Sequence, residues 1–148
     1  MSHPTKPIVI LMADDDADDR LLAKDALADC KINSEVHFVE NGEELVEYLH
    51  RRGKFGANTP RPGLILLDLN MPKKDGREAL REIKSDPELR KIPVVVLTTS
   101  RADTDISQIY ELGANSFITK PVSFDALVNT MKILTNYWCQ TVELPVKN

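Results

Sequence analysis

Three short, almost unbroken apolar runs constrain this chain more than any other feature: Ile8 to Ala13, Leu64 to Leu67 and Val94 to Leu97. A strand with one wet face alternates apolar and polar residues, whereas an unbroken run needs cover on both sides. Each run gives way to polar residues, as parallel strands do where they leave the interior of a sheet.

Segments with helical periodicity separate the runs. Arg20 to Cys30 places Leu22, Ala26 and Cys30 in line, with Leu21 and Leu27 beside them. Glu43 to His50 and Arg77 to Ser85 follow the same rule, and Asp105 to Leu112 ends at Gly113, a good helix stop. The last helix is predicted from an N-cap at Ser123 to about Trp138. Two weaker strands, Glu35 to Val39 and Ser116 to Thr119, have the mixed pattern expected at sheet edges. Five strands alternating with five helices predict a doubly wound α/β fold. Right-handed crossovers give the five-stranded parallel sheet the order 2-1-3-4-5. Arg51 to Gly63, rich in glycine and proline, reads as a mobile surface loop.

Length and charge narrow the function. At 148 residues the expectation is one domain over 1–148, with a core at about 7–138 and a tail at 139–148. A formal net charge of −4 disfavours direct nucleic-acid binding. No apolar run reaches 18 residues, so no membrane span is expected. The first seven residues lack the basic and apolar segments of a secretory signal, which predicts a cytoplasmic protein. Cys30 and Cys139 are read as free thiols, and the three histidines do not have zinc-ligand spacing.

The chemistry collects at the strand ends, where open parallel sheets bind ligands. The first strand ends in Asp14-Asp15-Asp16, the third in Asp68, the fourth in Thr98 and the fifth in Lys120-Pro121. Neighbouring strands lie ~4.8 Å apart, so these groups can converge. Clustered carboxylates repel one another unless a cation sits among them, and an all-oxygen set favours a hard ion, Mg²⁺ before Ca²⁺. Such an ion, a lysine and a hydroxyl suit phosphoryl transfer, in which an aspartate can be the nucleophile. Asp16, Asp18 and Asp19 are read as a solvated acidic helix start that complements the dipole.

The segments VILMADDD, LILLDLNMPKKDG, PVVVLTTS and SFITKP, in this order and spacing, resemble the response-regulator receiver domains of two-component signalling. The resemblance covers nearly the whole chain and implies a flavodoxin-like (βα)5 receiver fold. It implies that Asp68 accepts the phosphoryl group and that Asp14, Asp15, Asp68 and the backbone carbonyl of Asn70 bind Mg²⁺, for which Mn²⁺ or Ca²⁺ could substitute. Thr98 and Lys120 would assist the transfer, with Thr98 swinging towards the new phosphoryl group and Phe117 filling the vacated space. The Lys120–Pro121 bond is typically cis in such proteins. SDPELRKIPVVVLTTS and NYWCQTVELP narrow the resemblance to stand-alone regulators partnered with bacterial, notably cyanobacterial, phytochrome histidine kinases.

With no attached output domain expected, partners would bind in trans. Phe124, Leu127, Val128, Met131, Leu134 and Trp138 form a broad apolar stripe on the last helix, more than one sheet contact needs. This predicts a homodimer through the fourth helix, fifth strand and fifth helix, using Phe117, Phe124, Leu127, Val128, Met131, Tyr137 and Trp138. Two other readings compete with a phosphoacceptor that is not a classical enzyme. A metal-dependent aspartyl-phosphate hydrolase would usually carry an acid where Asn70 stands, and a phosphorylation-independent docking module would have no use for the intact pocket.

Overall fold

The computed structural model describes residues 7–30, 33–71, 73–98, 103–121 and 123–141. Five parallel strands, β1 (Ile8–Ala13), β2 (Ser34–Val39), β3 (Leu64–Leu67), β4 (Val94–Thr98) and β5 (Ser116–Thr119), form one sheet in the order β2-β1-β3-β4-β5. The helices between and after them are α1 (Ala17–Ala28), α2 (Gly42–His50), α3 (Gly76–Ser85), α4 (Asp103–Glu111) and α5 (Phe124–Thr135). The doubly wound fold and its strand order are those expected from the apolar runs.

Alternation within each central strand divides the interior into two cores. Leu11, Ala13, Ile65, Leu67, Val94 and Val96 point to one face, where α2 and α3 supply Leu45, Leu49, Leu80 and Ile83. Ile10, Met12, Leu64, Leu66, Val95 and Leu97 point to the other, covered by Ala23, Ala26 and Leu27 of α1 and Leu127, Val128, Met131 and Leu134 of α5. Burying a Leu, Ile, Val or Met side chain fully contributes about 1.5–3 kcal/mol, so the unbroken runs drive the layering.

Side-chain caps start the helices earlier than periodicity alone predicts. Asp16 caps α1 by accepting from the Asp18 and Asp19 amides, so the helix begins three residues ahead of Arg20. Asn41 and Asp75 cap α2 and α3 in the same way, and Ser123 caps α5 as expected. Gly113, at φ +106°, ends α4 as expected. Gly76 is required by proximity: a Cβ there would lie 2.5 Å from the Asp68 carbonyl oxygen and 2.7 Å from Leu69 Cα.

Several expectations are corrected. The inner face of α1 is Ala23, Ala26 and Leu27, continued by Cys30 just past its end, while Leu21 and Leu22 are 58% and 40% exposed. Small residues there let α1 lie close to both the sheet and α5. Leu127, Val128, Met131 and Leu134 of the α5 stripe likewise face inward, because this helix packs against both the sheet and α1, while Phe124 at its start is exposed. Beyond Thr135 the chain widens into π-helical turns over Asn136–Thr141, and Trp138 packs half-buried against the second core. The loop from Arg51 to Gly63 is pinned. Tyr48 donates its hydroxyl to the Pro60 carbonyl at 2.9 Å, Arg51 Nε to that of Thr59 at 2.9 Å, and the Gly63 amide to that of Val9 at 2.8 Å. Burial pushes the Tyr48 hydroxyl pKa up to about 12. The Cys139 side chain and residues 142–148 of the expected tail lie outside the described residues.

The inward face of α5 has a direct test. Met131→Ala should lower the unfolding free energy by about 2–5 kcal/mol. Ile133→Ala, two residues away and 62% exposed, should stay within about 0.5 kcal/mol of the parent in urea denaturation.

Candidate functional site

The carboxyl ends of β1, β3, β4 and β5 converge on one group of side chains. Asp14 follows β1 and is wholly buried; its amide donates to the Val39 carbonyl and its Oδ1 accepts from the Asp16 amide at 2.9 Å. Asp68 follows central β3 and is 8% exposed; its amide donates to the Ala13 carbonyl at 3.0 Å. This places the two carboxylates on adjacent strands at the same depth. Asp15 is exposed, and one carboxylate oxygen from each of Asp14, Asp15 and Asp68 falls within a cluster no wider than 4.8 Å.

The two oxygens of Asp68 have different partners. Oδ1 accepts from the Thr98 hydroxyl at 3.0 Å and from the Asn70 amide at 3.3 Å. Oδ2 accepts from Lys120 Nζ at 3.3 Å. The same ammonium donates to Asp14 Oδ2 at 2.8 Å and to Asp19 Oδ2 at 2.9 Å. Burial of Lys120 lowers its pKa, but the hydrogen bonds to Asp14 and Asp19 and the charge of Asp68 outweigh that and hold it above the ordinary lysine range. Burial pulls the Asp14 carboxyl above its usual value despite the opposing hydrogen bond from Lys120.

Three carboxylates, those of Asp14, Asp19 and Asp68, thus gather around one ammonium, and Asp15 lies beside two of them. A donor set made only of carboxylate oxygens, one of them penalised by burial, fits a hard divalent cation. Asp14, Asp15 and Asp68 are the side chains that would hold it.

Thr98 is fully buried and already directed at Asp68, so no large rotation is needed to bring its hydroxyl to the acceptor. Phe117 on β5 is half-buried against the first core, and its amide donates to the Tyr110 hydroxyl at 3.1 Å. The Lys120–Pro121 bond is trans, contrary to expectation. Trans is the lower-energy isomer by about 0.5–1 kcal/mol, and in it Lys120 meets all three carboxylates.

Of the residues expected at an intermolecular face, Leu127, Val128 and Met131 are buried in the second core. They are core residues in this fold. Phe124 and Tyr137 are exposed, while Phe117 and Trp138 are half-buried.

Asp19 is the residue that sequence reasoning missed at the pocket. An acidic first turn reads equally well as dipole complement, and only its place just after the Asp14-Asp15 strand end could have pointed to the pocket. Arg20 was missed as well: its Nη1 donates to the Asp14 carbonyl at 2.8 Å, bracing the same turn.

Residues 10–132 match the response regulator receiver domain family. The chain belongs to that family. Response regulator Rcp1 of Synechocystis sp. is 42% identical over 144 residues, 97% of this receiver and 96% of Rcp1. The crystal structure of the phosphorylated cyanobacterial phytochrome response regulator RcpA is 45% identical and superimposes with a TM-score of 0.89, covering 95% of this receiver and 99% of RcpA. The Mn²⁺-bound form of Rcp1 gives a TM-score of 0.87 at 42% identity, over 95% of this receiver and all of that chain.

Cation affinity tests the carboxylate set. Calorimetric titration with Mg²⁺ should find Asp14→Asn and Asp15→Asn weakened by about tenfold or more. Asp16→Asn keeps a good N-cap and should stay within about twofold of the parent receiver.

Proposed function

We propose that this receiver accepts a phosphoryl group on Asp68 from the phosphohistidine of a histidine kinase, in a Mg²⁺-dependent reaction. The observation that carries the proposal is the differential contact of Asp68: a hydroxyl on one oxygen, an ammonium on the other, and two more carboxylates beside it.

An Asp68 oxygen attacks phosphorus, the P–O bond forms as the P–N bond breaks, and the imidazole nitrogen leaves with the electron pair. Lys120 Nζ stands where it can meet the charge on the transferring oxygens, and Thr98 holds its proton towards the acceptor. Such catalysis consists mainly of positioning and charge neutralisation. A bound divalent ion, held by Asp14, Asp15, Asp68 and the carbonyl of Asn70, would neutralise further phosphoryl charge; Mn²⁺ or Ca²⁺ could stand in for Mg²⁺. The protein is a phosphoacceptor that assists its own phosphorylation and dephosphorylation, not an enzyme with turnover of a separate substrate.

The similarity to RcpA and Rcp1 supports a kinase of the phytochrome type. Thr98 and Phe117 form the switch, with Thr98 passing its hydroxyl bond from Asp68 Oδ1 to the phosphoryl group rather than swinging in from afar, and the face made by α4, β5 and α5 carries the output. A homodimer through that face uses Phe124 and Tyr137, with Phe117 and Trp138 at its margin. A single receiver domain acting in the cytoplasm completes this reading, and its net charge of −4 disfavours direct contact with nucleic acid; among the described residues no helix is long and apolar enough to cross a membrane.

Incubation with a small acyl phosphate and Mg²⁺, followed by intact-mass spectrometry, should show one added phosphoryl group on the parent protein. Asp68→Asn should show none; an equal mass gain on that variant would refute the assignment.

A further inference from the structure

Lys120 Nζ has three protons and meets three carboxylates, so all its donors are engaged. The distances are unequal. Asp14 and Asp19 lie at 2.8 and 2.9 Å, and Asp68 at 3.3 Å. The ammonium is thus drawn towards β1 and α1, away from the carboxylate proposed to accept the phosphoryl group. To pair closely with a phosphoryl oxygen it must loosen another bond. Asp14 is a poor candidate, because its side chain has no exposure and water could not take over the lost hydrogen bond. The Asp19 side chain is 35% exposed, so water can take over its hydrogen bond at little cost.

We propose that Asp19 is a positioning residue: a competing anion that restrains Lys120 and that an incoming phosphoryl group must displace. The inference rests on the phosphoacceptor reading above and adds to it a residue on α1 that sets how readily the phosphorylated state forms. Asp19 touches neither the acceptor carboxylate nor the Asp14, Asp15 and Asp68 cation cluster by any described contact; it acts through Lys120.

Beryllofluoride, a non-covalent phosphoryl mimic, provides the test. Its affinity for the full chain in saturating Mg²⁺ is read by fluorine NMR. Asp19→Asn should bind the mimic tighter by about threefold or more, a gain of the size expected for releasing one charge-assisted hydrogen bond. Asp18→Asn removes the same charge from the same helical turn without touching Lys120, and should change affinity by less than about twofold. Asp19→Glu, which restores a carboxylate, should return affinity towards the parent value. A purely structural role for Asp19 would lower thermal stability without producing the gain.

Equal effects of Asp19→Asn and Asp18→Asn would reduce the result to long-range charge and overturn the inference, as would weaker binding by Asp19→Asn. If the parent protein showed no binding that Asp68→Ala abolishes, the phosphoacceptor reading would fail and the inference with it. The two failures are therefore distinguishable.

Discussion

The ammonium of Lys120 joins parts of the chain that are distant in sequence. Asp14 lies 106 residues away, Asp19 101 and Asp68 52. A nearly buried lysine tolerates its charge only when opposite charges surround it. Here they come from the end of β1, the first turn of α1 and the end of β3, three places that the sheet order brings together. The four-residue edge strand β5 is thereby tied to the centre of the sheet through its own carboxyl end. Removing Lys120 would leave clustered carboxylates without a cation, and removing a carboxylate would redirect the ammonium. The pocket behaves as one electrostatic unit, in which double substitutions should not be additive.

The scaffold makes that unit possible through two steric features. β3 sits between β1 and β4 with all four of its residues buried, so Asp68 emerges from the most enclosed part of the sheet. The start of α3 then approaches the Asp68 backbone so closely that only glycine fits at position 76. The segment after Asp68 folds back at once, its Asn70 amide turned to the Asp68 carboxylate and its Gly76 amide to the Leu69 carbonyl. The geometry of Asp68 is thus set by backbone packing, while its charge environment is set by side chains from other strands.

Much of this was legible in the sequence because burial on two faces leaves a direct imprint. β1, β3 and β4 read as unbroken apolar runs, and the polar residues that end them are the pocket. The edge strands were visible by contrast, through weaker patterns. What stayed hidden shares a cause: a pattern reports which residues cluster but not what covers them. The α5 stripe was broad because two neighbours cover it, yet in sequence that is indistinguishable from a face awaiting a partner. Leu21 and Leu22 looked internal by spacing alone. Asp19 was obscured because an acid in a first helical turn already has a sufficient explanation in the dipole, and its partner lies 101 residues away. The trans Lys120–Pro121 bond and the inward-facing Thr98 are conformational choices that composition does not encode.

The bond from the Phe117 amide to the Tyr110 hydroxyl bears on a different problem. β5 is an outer strand, and an outer strand offers unpaired amides to any other extended chain that drifts alongside. By occupying one of these amides from α4, Tyr110 makes the margin of the sheet a poor template for runaway strand addition. The cost of this guard is small, a single half-exposed phenol.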